Sequence, residues 1–155
     1  MKGLKSYFLI SLFTLIGIIA AGNTFAGEGR TYAVTITNLT GGQIITPPVL
    51  LSHNGHFNLF TPGSAAISEL QTLAEDGDAS SLIAYLAVND DVFAYTQAGG
   101  PLFPGQSVTV EITTKGNFSY LSAAGMLASS NDAFFGINRV KAPKKGMKNV
   151  MAPAW

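Results

Sequence analysis

The chain has 155 residues, 47% of them hydrophobic and only 12% charged, and no cysteine. That length suits one domain, and the low charge argues against disorder. The absence of cysteine excludes disulfides, thiol catalysis and thiolate metal sites.

Residues 1–26 read as a secretory signal peptide. Lys2 and Lys5 precede an apolar run over 7–21, interrupted only by Ser11 and Thr14. Thr24 and Ala26 supply the small-x-small pattern for cleavage after Ala26. The run is about 15 residues, short of the about 20 needed to span a bilayer, so no membrane span is expected after cleavage. The remaining domain, 27–155, is expected to be secreted or periplasmic. It carries seven Lys or Arg against nine Asp or Glu, a formal charge of −2. The charge is uneven. Glu69, Glu75, Asp76, Asp78, Asp90 and Asp91 lie mid-chain, whereas Arg139, Lys141, Lys144, Lys145 and Lys148 lie near the end. Such a tail can touch anionic lipid, polysaccharide or nucleic acid. As a weak patch it reads more simply as a solvated segment, and nucleic acid is not an expected partner.

Residues 31–38 alternate Tyr32, Val34 and Ile36 with Ala33, Thr35 and Thr37, the period of a half-buried strand. A turn follows at Thr40-Gly41-Gly42. The apolar stretch 43–51 is split by Pro47-Pro48, which predicts a broken or edge strand. Ser64 is a candidate helix cap, and Ile67, Leu70, Leu73 and Ala74 share one helical face that Gly77 ends. Asp78 is placed to cap a second helix holding Leu82, Ile83, Leu86 and Ala87. Past Gly99-Gly100-Pro101, residues 107–113 alternate again, with Glu111 on the polar face. Lys115-Gly116-Asn117 predicts a hairpin-type turn. Residues 118–127 form a mixed apolar strand weakened by Gly125. A polar loop at 129–132 leads to a strand over 134–140, and a last short strand is expected over 147–151. Strands flanking two helices predict a mainly β fold, an antiparallel β-sandwich with a short two-helix insertion.

Several segments in this order resemble bacterial spondin-domain proteins. They are Thr35-Ile36-Thr37-Asn38-Leu39-Thr40 with Pro47-Pro48, the stretch 53–60 ending in Leu59-Phe60, and Ala74-Glu75-Asp76-Gly77-Asp78. Pro104-Gly105-Gln106-Ser107-Val108-Thr109-Val110 and Asn131-Asp132-Ala133-Phe134 complete the series. The resemblance covers most of 31–153. It implies a C2-like two-sheet sandwich and an adhesion-type role, with a calcium site built from a strand Glu and two Asp. Carried over, Glu111 matches the first position and Asp132 the second. The third is absent, because Trp155 stands where the family places Tyr followed by Asp. The resemblance thus implies a C-terminally shortened domain with weakened calcium binding.

From spacing alone, Glu111 is a solvated carboxylate and Asp132 closes an Asx-turn. His53-Asn54-Gly55-His56 lacks a third zinc ligand, and Glu75, Asp76 and Asp78 lack the distal Glu of an EF-hand. No nucleophile elbow or phosphate loop occurs. The expectation is therefore a non-catalytic binding module for an extracellular or cell-envelope ligand. The alternatives are a structural envelope protein without metal and a hydrolase using Glu111 and Asp132 as a carboxylate pair.

Overall fold

The structure, a computed structural model, describes residues 29–155. The leader read at 1–26 lies outside them. In chain order the elements are β1 (Arg30–Asn38), β2 (Val49–His53), α1 (Ser68–Asp76), α2 (Ser80–Ala87), β3 (Val92–Gln97), β4 (Ser107–Thr114), β5 (Tyr120–Met126) and β6 (Phe134–Lys141).

Among the described residues the strands form two antiparallel sheets. β1 pairs with β4, from Arg30 opposite Thr114 to Thr37 opposite Ser107. The second sheet runs β3-β2-β5-β6. Tyr32, Val34, Ile36 and Ile112 of the first sheet share a core with Leu50, Leu121, Ala123, Phe135 and Ile137 of the second. On the other face of the second sheet, Val49, Leu51, Ala124 and Phe134 pack with Leu70, Leu73, Leu82 and Leu86 of the helices. The second sheet is therefore a middle layer. All five residues of β2 are buried, and a strand covered on both faces reads as an apolar run rather than an alternation. β1 buries one row into this core, which is why period two was visible in it. Its outer row is knitted to β4 by hydroxyls: Thr31 to Thr113 at 3.1 Å, Thr35 to Thr109 at 2.7 Å and Thr37 to Ser107 at 2.6 Å.

The two helices sit between β2 and β3, as the sequence predicts. Gly77 ends α1 at φ +71°, donating its N–H to the Leu73 carbonyl at 3.1 Å. A Cβ there would lie 2.8 Å from Thr46 Cγ2, so glycine is required for space as well as for the left-handed turn. Asp78 Oδ1 accepts the Ser80 N–H at 2.9 Å and its hydroxyl at 2.6 Å. These bonds hold the carboxyl below its usual value of 3.8. Ser64 caps nothing: α1 starts at Ser68, preceded by extended Ile67 without a side-chain cap.

Five further points differ from the sequence reading. The prolines do not make β2 an edge strand; they precede it, and β2 lies between β3 and β5. β3 was not anticipated, although Val92-Phe93-Ala94-Tyr95-Thr96 is rich in β-formers. The turn at 115–117 closes through Phe118 N–H to the Lys115 carbonyl at 2.9 Å. It joins no hairpin, because β4 and β5 belong to different sheets. Residues 147–151 form no strand element. Instead Trp155 exchanges backbone hydrogen bonds with Phe134, at 2.9 and 3.2 Å, and pairs the tail along β6. Gly125, read as a weakness of β5, admits a close neighbour: a Cβ would lie 2.7 Å from the Phe135 ring.

Candidate functional site

Glu111 is exposed on the outer row of β4, opposite Ala33 and between Thr109 and Thr113. Asp132 is exposed in the loop between β5 and β6. The two carboxylates thus come from different sheets. Neither lines the clefts described below. Calcium takes about six to eight oxygens, more than two carboxylates supply by themselves. His53 is buried and His56 exposed. Among the described residues no cluster of three or more His, Asp or Glu is arranged to hold a metal.

The structure instead brings cations together at one end of the sandwich. Antiparallel pairing sets Arg30, at the start of β1, beside Thr114, at the end of β4. It likewise sets Lys141, at the end of β6, beside Tyr120, at the start of β5. The turn carrying Lys115 and Gly116 crosses between these edges. The segment after β6 closes the other wall. Arg30 donates to the Lys144 carbonyl at 2.7 Å, the Tyr32 hydroxyl donates to the Pro143 carbonyl at 3.0 Å, and Ala142 N–H reaches the Ser119 carbonyl at 2.9 Å. The result is a cleft of about 560 Å3 whose lining includes the five cations Arg30, Lys115, Lys141, Lys144 and Lys145 and, among the described residues, no carboxylate. Lys141 lies 5.7 Å from the Tyr120 ring centre. Like charges around a low-dielectric concavity focus a positive potential and attract anions. The late lysines were visible in the sequence as a tail. Arg30 and Lys115 were not, because only strand register carries them to the same end.

A second polar centre is buried inside the second sheet. His53 Nδ1 contacts the Asn54 carbonyl at 2.7 Å, and Nε2 contacts Ser122 Oγ at 2.8 Å. A carbonyl only accepts, so Nδ1 carries the proton and Ser122 donates to Nε2. Ser122 Oγ also accepts the Arg139 N–H at 2.9 Å and lies 3.1 Å from Asn138 Oδ1. The ladder shifts register on both sides of this centre, between Ser52 and His53 against β3 and between Leu121 and Ala123 against β6. Arg139 takes up the second bulge at φ +55°, the only positive φ among described non-glycine residues. Its guanidinium holds the Gly55 carbonyl at 2.7 Å. Such a backbone costs about 1–3 kcal/mol and persists where surrounding bonds fix it.

Burial lowers the His53 pKa from its usual 6.5; the Asn54 carbonyl opposes this, Arg139 lowers it further and Asp91 raises it. The unfolded chain therefore binds this proton at a higher pH than the folded one. The stability given by neutral His53 is complete above about pH 6.5 and is lost as pH falls toward the depressed native value. Urea unfolding between about pH 7 and 5 should show a falling midpoint, and His53→Gln should flatten that dependence.

A third feature is apolar. Phe60, Pro62, Ile137, Val140, Met151 and Trp155 line a groove of about 340 Å3 along β6, and among the described residues no charged one lines it. The Phe60 and Trp155 rings are 5.3 Å apart.

Fold and site together define a mainly β, two-sheet sandwich with a cationic cleft at one end. No family model and no curated protein matches the chain. Among the described residues no helix is long and apolar enough to cross a membrane.

Proposed function

We propose that this is a non-catalytic binding module, exported through its leader to the periplasm or beyond, that holds an anionic ligand of the cell envelope or extracellular space in the basic cleft. One observation carries the reading: five cations from four parts of the chain line one concavity, with no carboxylate beside them among the described residues. Charges so placed repel one another and gain from a shared anion. The resemblance to spondin domains supports a binding rather than a catalytic role. Dextran sulfate serves as the probe, titrated calorimetrically into the mature chain. Neutralising Lys115, Lys144 and Lys145 together to alanine should lower the association constant about tenfold, at roughly 0.5 kcal/mol for each exposed charge. Unchanged affinity would remove the cleft from the account. Export predicts that the mature protein begins at Gly27 by N-terminal sequencing; an intact Met1 on exported protein would contradict it.

The resemblance adds calcium at Glu111 and Asp132 to the proposal, without support from their placement. On that part, calcium should raise the thermal midpoint and Glu111→Gln should abolish the rise. A midpoint indifferent to calcium and chelator removes the ion and leaves the cleft.

A further inference from the structure

The segment after β6 joins the basic cleft to the apolar groove. Lys144 and Lys145 line the cleft, while Val150, Met151, Pro153 and Trp155 line the groove. Between them Gly146 turns the chain at φ +71°. Lys148 follows and reaches the Lys141 carbonyl at 3.4 Å. Large apolar side chains stand open along this same segment: Met147 is 54% exposed, Met151 57% and Trp155 43%. Isolated exposed hydrophobics are ordinary, but three at four-residue spacing beside a cationic cleft form a mixed surface.

A soluble polyanion would satisfy only the lysines. A partner offering negative charge and apolar volume side by side satisfies both halves. An anionic lipid surface has that profile: phosphates lie at headgroup depth, with acyl chains immediately beneath. Tryptophan favours that boundary, and lysines beside an anionic leaflet reach its phosphates. Peripheral binding of this kind grows with both buried apolar area and charge attraction.

We infer that the segment over residues 144–155 is a peripheral docking surface for an anionic lipid bilayer, with the lysines on phosphates and Met147, Met151 and Trp155 entering the interface. This rests on the anion-binding reading of the cleft and names the source of the anion. Trp155 is the sole tryptophan, so its emission reports entry directly.

The test uses the mature chain with vesicles of phosphatidylcholine alone and of phosphatidylcholine with phosphatidylglycerol in equal parts. Co-sedimentation and a blue shift of Trp155 emission are expected with the anionic vesicles only, and both should weaken at high salt. Lys144→Ala with Lys145→Ala should lower partitioning about fivefold per lysine. Met147→Ser with Met151→Ser should lower it severalfold while dextran sulfate affinity stays unchanged. Both methionines are exposed, so this variant keeps its core. Binding of dextran sulfate without binding of anionic vesicles would overturn the lipid inference and leave the anion reading standing. Failure with both probes overturns both. Sedimentation without any shift of Trp155 emission, or equal partitioning of the methionine variant, would also overturn the docking surface.

Discussion

Phe135→Ala should lower the unfolding free energy by about 3–5 kcal/mol, the usual cost of deleting a buried aromatic ring. The ring is fully buried and belongs to the core shared by the two sheets. It fits against β5 only because Gly125 has no side chain, and Ile45 meets the same spot, 3.1 Å from where a Cβ would stand. Those neighbours sit on separate strands and a loop, so they cannot close on the void together. Domains of this kind are stable by about 5–15 kcal/mol, so the loss is a large part of the whole. Urea unfolding should show a lower midpoint with an unchanged slope. Phe93→Ala is the control. Phe93 is 41% exposed and touches the Phe118 ring at 5.7 Å between centres, so its loss should cost under about 1 kcal/mol. Equal losses for the two variants would show that the core is not organised around Phe135.

The second large effect is expected from Asn138→Ala, at about 2–4 kcal/mol. The Asn138 amide joins β6 to the loop over 58–60 and to the His53 centre. Its oxygen accepts the Leu59 N–H at 3.2 Å and lies 3.1 Å from Ser122 Oγ. Its nitrogen donates to the Phe60 carbonyl at 2.5 Å and to Asn58 Oδ1. Truncation leaves Leu59 N–H and the Phe60 carbonyl without these partners, and each buried orphan costs about 1–3 kcal/mol. Hydrogen exchange at Leu59 should accelerate beyond the global change if this account holds. Asn138→Asp distinguishes a lost volume from a lost donor. It keeps an acceptor for Leu59 but sets a carboxylate against the Phe60 carbonyl, so it should also destabilise. If Asn138→Asp unfolds like the unaltered protein, the amide nitrogen has no structural role.

Neutral His53 uses Ser122 as donor, whereas an imidazolium would give its Nε2 proton to Ser122. The serine hydroxyl would then turn to Asn138 Oδ1, 3.1 Å away. Asn138 thus supplies the acceptor that the protonated form needs. Its truncation should steepen the loss of stability at low pH.

Period-two patterning revealed β1 and β4 because each turns one row of side chains to the core. The helices were legible through the spacing of Leu70, Leu73, Leu82 and Leu86, all buried against the middle sheet. β2 gave a weaker signal, since cover on both faces removes the alternation, and its central position could not be read from the prolines before it. β3 was lost between a helix end and two glycines. Six residues with aromatics on the open row resemble a loop unless the neighbouring strand is known. Residues 147–151 misled for a related reason. Met147, Val150 and Met151 look like strand material, yet Met147 and Met151 face outward and the pairing is made later, at 153–155.

The site was legible only in part. The late lysines were visible, but concavity is a property of three dimensions. Arg30 precedes Lys144 by 114 residues, and nothing local links them. Ser122 carried no signal of its own within an apolar strand, yet it is the group that lets a buried histidine sit between two bulges. Glu111 and Asp132 were singled out through the resemblance alone; Glu111 lies on the outer row of β4 and Asp132 in the loop before β6.

The central claim is that the cleft between the turn at 115–116 and the segment at 141–145 receives the anion. Nitrogen-15 chemical-shift mapping of the mature chain, titrated with dextran sulfate, tests it most directly. Saturable shifts confined to Arg30, Lys115, Gly116, Ser119 and residues 141–145 are the predicted result. Shifts centred on another face, or none at concentrations that saturate binding, would contradict it.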